Sequence, residues 1–122
     1  MKDHKRQKGK RTVDGVWGVE AYSYTGWERV STAFFDSGSY RAGSADHYSI
    51  GTYQLQGRAL VFDVEGHQWG RVRVIHGDDK AHSKVVGTGK LKRDGSVIEA
   101  TFKDRQTTRF RLQLRFTRLG DL

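Results

Sequence analysis

The stretch from Phe34 to Phe62, FFDSGSYRAGSADHYSIGTYQLQGRALVF, constrains the fold more than any other part of the chain. It contains three short runs of alternating apolar and polar residues, separated by segments that carry glycine. Asp36-Ser-Gly38, Ala42-Gly-Ser44 and Gln56-Gly57 have the composition of tight turns, because glycine adopts positive φ angles readily. The runs between these turns have a period of two and are too short for helices. The stretch therefore predicts an antiparallel meander.

The last part of the chain gives the clearest single strand. Four apolar residues from Phe110 to Phe116 alternate with polar residues, which places one face of the strand on a core and the other in water. The Asp94-Gly95 pair predicts a hairpin turn between the two strands that precede this one. The predicted strands are 15–24, 28–36, 38–43, 47–56, 58–66, 69–76, 83–92, 96–103 and 107–118.

Eight or nine short strands predict an all-β fold, a small antiparallel up-and-down β-barrel, because closing the sheet removes its exposed edges. A chain of 122 residues has room for one domain with a real core. Three Trp, five Tyr and six Phe indicate that this core is rich in aromatic side chains. The predicted barrel domain covers residues 13–122.

The first residues form a basic tail. Residues 2–11 hold six of the 22 Lys and Arg and one of the 14 Asp and Glu, so they carry +5 of the net charge of +8. Without apolar residues to bury, segment 1–12 is predicted to be disordered. No signal peptide or long apolar run is visible, which predicts a cytoplasmic protein without membrane association. The absence of cysteine excludes disulfides and Cys-based zinc sites.

Several segments of the chain share motifs with one regulator family. They are the opening Asp14-Gly-Val-Trp-Gly-Val-Glu20, the segment Ala45-Asp-His-Tyr-Ser-Ile-Gly-Thr-Tyr53, Gly57-x-x-Leu60, and the closing strand from Phe110 to Leu119. In these features residues 13–119 resemble the GrlR-type negative regulators of type III secretion. The resemblance implies a calycin-like, lipocalin-like barrel that sequesters a transcriptional activator. In that family an acidic surface motif makes the contact, whereas this chain has only Asp78-Asp79 and a positive net charge.

The interior of the predicted barrel is a candidate ligand site. An eight-stranded barrel is either filled by its own side chains or holds one small apolar ligand, and the sequence leaves both alternatives open. The inward-facing residues predicted to line such a cavity are Trp17, Tyr40, Tyr53, Phe62, Phe110, Leu112 and Leu114.

The last strand also suggests a site for an anionic partner. Arg109, Arg111 and Arg115 are predicted on its outer face, and with the tail they could bind nucleic acid or another polyanion. A solvated barrel exterior has the same pattern, so it stands as the alternative.

No catalytic or metal motif is visible. The closest grouping of potential metal ligands is His76, Asp78, Asp79 and His82, but the His-x5-His spacing fits no zinc pattern and predicts a polar loop. Asp46 and His47 could form an acid–base pair, but neighbours on a strand point to opposite faces, so the two are predicted to be turn residues instead. Gly87-Thr-Gly-Lys90 lacks the spacing of a phosphate loop and predicts a strand with close packing. We therefore expect no enzyme activity, no cofactor and no metal.

The leading hypothesis from sequence is a non-enzymatic binding protein. It would act by protein–protein contact, as the resembled family does, and could hold a small apolar ligand in the barrel. The alternatives are a polyanion-binding barrel and a lipocalin-like carrier of a small hydrophobic molecule. A homodimer through a barrel edge or face is compatible with each of them.

Overall fold

The computed structural model describes residues 12–68 and 82–122, except for the side chains of Gln68, Phe110 and Arg111. The predicted basic tail before Thr12, the predicted strand 69–76, and the side chains of His76, Asp78 and Asp79 lie outside the described residues.

The described residues form a closed barrel of eight antiparallel strands without a helix. Each strand pairs with the next in sequence, and the last pairs with the first. This confirms the predicted all-β up-and-down barrel, which has the strand number and topology of calycin-like barrels. The strands are β1 (Gly15–Ser23), β2 (Gly26–Asp36), β3 (Ser39–Gly43), β4 (His47–Gln56), β5 (Ala59–Gln68), β6 (His82–Leu91), β7 (Val97–Asp104) and β8 (Phe110–Gly120).

The predicted glycine turns form tight hairpins. Between β2 and β3, Ser37 and Gly38 have φ angles of 52° and 92°, and Asp36 pairs directly with Ser39. Two successive positive φ angles are typical of a turn whose twist matches that of its flanking strands. Gly95 has a φ of 80° in the Asp94-Gly95 turn between β6 and β7, where the sequence predicts a hairpin. These turns fix the register of the hairpins that flank them.

The start of β8 differs from the prediction. The carboxylate of Asp104 accepts hydrogen bonds from the backbone N–H groups of Gln106 and Thr107, each at 3.0 Å. Thr108 then adopts a positive φ of 59°. This side-chain capped turn satisfies backbone groups that a strand would pair, so β8 begins at Phe110 rather than at residue 107.

Pairing of β1 with β8 closes the sheet. Trp17 lies opposite Arg118 and Val19 opposite Phe116 in this antiparallel pair. Alternate residues of each strand point into the barrel, so the core consists of one inward row per strand. The largest fully buried side chains are Trp17, Phe35, Phe62, Phe116, Leu60, Leu91, Ile98, Val13 and Val19. The prediction of an aromatic-rich core is confirmed.

Gly87 in β6 shows why the sequence places glycines in this strand. A Cβ atom at Gly87 would lie 2.6 Å from the ring of Phe102, which faces it from β7. The glycine therefore gives the Phe102 ring its place in the core, and Gly87-Thr-Gly-Lys90 is a closely packed strand segment, as predicted.

Over residues 12–68 and 82–122 the structure has no helix of the length and apolar character needed to cross a membrane.

Candidate functional site

The centre of the barrel interior is filled by aromatic rings. The Phe35 ring lies 5.0 Å from the ring of Tyr53, 5.3 Å from that of Tyr40 and 5.7 Å from that of Trp17, measured between centroids. Phe62 and Phe116 stack at 5.9 Å with an interplanar angle of 6°. These spacings are those of rings in direct contact. At this level the interior holds side chains rather than a ligand.

The predicted cavity residues divide between this cluster and its surroundings. Trp17, Tyr40, Tyr53 and Phe62 belong to the ring cluster and are buried. Leu112 and Leu114 are also buried and point inward from β8, as the alternation predicts, and the side chain of Phe110 is outside the described residues. All the described members of the predicted set therefore face the interior.

One end of the interior has smaller and more polar side chains. Ser49 of β4 lies opposite Gly66 of β5, and Gly66 lies opposite Ser83 of β6. All three residues are buried. Within the described part of the chain the Ser83 hydroxyl has no hydrogen-bond partner, which is uncommon for a buried polar atom. The Ser83 hydroxyl, near the end of β5 and the start of β6, is therefore a candidate donor to a ligand.

The outside of the barrel exposes apolar side chains on neighbouring strands. Phe34 of β2 lies opposite Arg41 of β3, and Arg41 lies opposite Ile50 of β4. Phe34 is 44% exposed and Ile50 42% exposed. Register and strand alternation place the three side chains side by side on the outer face. We call Phe34, Arg41 and Ile50 the outer patch.

A surface groove of about 470 Å³ adjoins the outer patch along β3, β4 and β5. Arg41 and Ile50 line it together with Asp63, Glu65 and Arg105. The guanidinium of Arg105 pairs with the carboxylate of Asp63, and Lys84 lies 3.9 Å from the carboxylate of Glu65. Arg41 forms no ion pair with another residue of the described ranges. The outer patch therefore combines apolar surface with one cation that has no counter-charge in the described structure.

The predicted polyanion site is only partly assembled. Arg115 points outward from β8, but its guanidinium pairs with Glu20 at 2.8 Å and lies over the Trp27 ring at 4.3 Å. Arg109 is exposed and precedes β8, because the Asp104 turn delays the start of that strand. The side chain of Arg111 is outside the described residues. Arg115 thus already has a carboxylate partner, which lowers its value as a phosphate ligand.

Asp46 and His47 contradict the expectation that they point apart. Asp46 lies in the bend before β4, so strand alternation does not apply to it. His47 Nδ1 is 3.0 Å from Asp46 Oδ1 and 2.8 Å from Ser44 Oγ. Both partners meet the same ring nitrogen, whereas a nucleophilic triad needs them on opposite nitrogens. The cluster is a partly buried, hydrogen-bonded turn, and the sequence also predicts turn residues here.

Glu65, His67 and His82 form a further cluster of potential metal ligands, which the sequence does not predict. Glu65 and His67 of β5 and His82 of β6 bring one potential ligand atom each to within 4.8 Å of one another on the outside of the barrel. The sequence groups His82 with His76, Asp78 and Asp79, which are near it in the chain. The β5–β6 register instead places His82 directly opposite His67. Glu65-x-His67, with both residues on one face of a strand, was the signal available in the sequence.

No family model and no curated protein matches the chain. The fold and the surface described above define a small antiparallel β-barrel, a fold that serves binding proteins generally.

Proposed function

We propose that this protein is a non-enzymatic binding barrel that acts by contact with a partner protein through the outer patch. The observation that carries the proposal is the exposed pair Phe34 and Ile50 on either side of Arg41. Two exposed apolar side chains that flank a cation form the mixed apolar and charged surface that protein partners bury. The packed rings around Phe35 favour the outer surface over the barrel centre as the place of binding.

The charge of the chain indicates the chemistry of the partner. Arg41 offers a cation at the middle of the patch, and the chain has a net charge of +8. An acidic protein surface with apolar residues complements both features, and the opposite charges would steer it to the barrel. A second copy of the chain would bring another +8 to the same place, so self-association is the less favoured occupant. The resemblance to GrlR-type regulators suggests a regulatory cytoplasmic partner.

Site-specific photo-crosslinking in the native host tests this proposal. A benzophenone amino acid at Phe34 should give one discrete crosslinked product, and mass spectrometry should identify an acidic protein. The same amino acid at Tyr24, which is fully exposed in the β1–β2 turn, is the matched control and should not give that product. Arg41→Glu should abolish the crosslink at Phe34, because it reverses the central charge.

Other results would contradict the proposal. No crosslink at Phe34, or the same product from both positions, would exclude the outer patch as the contact surface. A product with the mass of two chains would show that the patch serves a homodimer instead.

The polar end of the interior supports a second candidate, a small-molecule carrier. The buried Ser83 hydroxyl, which has no hydrogen-bond partner among residues 12–68 and 82–122, would be the donor to such a ligand, with Gly66 and Ser49 beside it. Native mass spectrometry of protein purified from its own host, before and after denaturation, tests this candidate. A defined extra mass that Ser83→Ala weakens would favour a carrier, and a clean apo mass would count against it.

The polyanion hypothesis remains a prediction. Its strongest sequence element, the basic tail, lies outside the described residues, and Arg115 is paired with Glu20. Heparin chromatography of a variant with Gln in place of Arg109, Arg111 and Arg115 tests this hypothesis. Loss of retention would support the polyanion site, and unchanged retention would assign any binding to the tail.

A further inference from the structure

Three potential metal ligands meet on the outer surface where β5 ends and β6 begins. Glu65 and His67 are two residues apart on β5, so their side chains leave the same face of the strand. His82 is the first residue of β6 and lies opposite His67, while Lys84 lies opposite Glu65. The carboxylate and both imidazoles are thereby held on one face by backbone pairing rather than by a loop.

The distances fit a single ion. One ligand atom from each residue lies within 4.8 Å of the other two, and His67 Nε2 is 3.3 Å from Glu65 Oε1. Donor atoms bound to one zinc ion at its usual bond lengths are about 3.4 Å apart in tetrahedral geometry. Small side-chain rotations would therefore bring all three donors onto one ion.

We propose that Glu65, His67 and His82 form a binding site for one divalent transition-metal ion, with zinc as the best match. Two imidazole nitrogens and one carboxylate oxygen suit zinc and its first-row neighbours, whereas calcium and magnesium prefer oxygen donors alone. The three protein ligands leave a fourth position for water or for a group from a partner. This proposal rests on the histidine cluster and is independent of the outer patch.

A neighbouring ring holds His67 in place. The Tyr48 ring of β4 stacks on the His67 ring with centroids 4.7 Å apart and an interplanar angle of 10°. The centroid of the His82 ring lies 4.2 Å from that of His67, with an interplanar angle of 66°. Tyr48 lies opposite His67 in the β4–β5 pair, so register fixes the stack. A positioned imidazole loses less rotational freedom when it binds a metal, which favours binding.

Among the described residues, Lys84 is a cation that opposes metal binding. Its ammonium lies 3.9 Å from Glu65 Oε2 and is half exposed, so it can leave the carboxylate when an ion arrives. Until Lys84 moves away, its positive charge repels the ion and pairs with the Glu65 carboxylate that would bind the ion. Removal of this charge should therefore raise metal affinity, a result that a merely structural histidine pair would not give.

Isothermal titration of the full, untagged chain with zinc chloride tests the site. We expect one zinc ion per chain. His67→Ala and His82→Ala should each weaken affinity at least about tenfold, the loss that removal of an outer-shell partner alone can cause. Lys84→Ala should strengthen affinity several-fold. Calcium at the same concentration should not compete.

Two controls make the result specific. His76→Ala should leave the affinity within about twofold of wild type, since the proposed ligands do not include it. Histidine-detected NMR of the wild-type chain should show that zinc shifts the imidazole signals of His67 and His82 but not that of buried His47. This measurement needs no variant, so it decides the assignment even where an alanine variant folds poorly.

The proposal would be overturned by several results. These are the absence of a one-to-one zinc complex, zinc binding that survives the double variant of His67 and His82, or zinc binding that disappears with His76→Ala alone. Unchanged affinity in Lys84→Ala would contradict the geometry in which Glu65 is a ligand.

Discussion

The Tyr53 hydroxyl donates a hydrogen bond of 2.8 Å to Asp14 Oδ1, which joins β4 to the segment just before β1. The same carboxylate oxygen accepts the backbone N–H of Ser37 at 3.0 Å, in the turn between β2 and β3. One carboxylate just before β1 therefore connects to two parts of the barrel that are 23 and 39 residues away from it in sequence. Because Tyr53 also packs on Phe35, this connection ties the barrel end to the aromatic core.

Loss of the Tyr53 hydroxyl should weaken the barrel. Tyr53→Phe keeps the ring on Phe35 and removes only the donor to Asp14, so we expect the free energy of unfolding to fall by about 1 kcal/mol. Denaturant unfolding followed by far-UV circular dichroism measures the change. Tyr24→Phe is the matched control and should have no effect, because Tyr24 is fully exposed. Equal stability of all three proteins would show that the Asp14 bond contributes nothing.

Alkaline pH should destabilise the protein through the same residue. Burial, with a further contribution from the Asp14 carboxylate, raises the pKa of Tyr53 from 10.0 to about 12. Between these pH values the unfolded chain has released the Tyr53 proton and the folded chain still holds it. The folded state binds more protons, so its stability decreases as pH rises from 10 to 12. Burial raises the pKa of Tyr40 as well, which adds to the effect.

Unfolding curves between pH 9 and 12 check this prediction. The free energy of unfolding should decline over that range, and the decline should be shallower in Tyr53→Phe. A flat profile in wild type would contradict the raised pKa of Tyr53.

A methyl group at Gly87 should disturb the core. Gly87→Ala would place its Cβ 2.6 Å from the ring of Phe102, which is buried in the core. We expect a loss of about 1–3 kcal/mol, typical of overpacking. Gly120→Ala is the control, because no heavy atom lies within 4 Å of its added Cβ. Thermal unfolding of both variants gives the comparison, and equal melting temperatures would contradict the packing.

A charge on the inward face of β8 should unfold the protein. Leu114 is buried and lies opposite Ala100, so Leu114→Asp would bury a carboxylate without a cationic partner among the described core residues. The expected cost is about 3–5 kcal/mol. Gln113→Asp changes the exposed neighbouring position and should cost less than about 0.5 kcal/mol. A folded Leu114→Asp variant with native stability would overturn the inward assignment of β8.

Much of the barrel could be predicted because its signals are local. The alternation in β8 and the Asp94-Gly95 turn each span a few residues. Apolar residues with a period of two over such a length indicate a β-strand. Predictions failed where a side chain competed with the strand pattern. Asp104 caps its turn and shortens β8, and the Asp46 carboxylate contacts His47 Nδ1 from the bend before β4.

By itself, the sequence determined that this chain forms short antiparallel strands around an aromatic core, since alternation and turn glycines act within a few residues. Tertiary structure alone decided which distant side chains meet. Three features depend on the register between strands: closure through β1 and β8, the hydrogen bond between Tyr53 and Asp14, and the position of His67 opposite His82. A shift of one residue would move every side chain to the other face, so register, and with it the candidate metal site, is set by packing of the whole barrel.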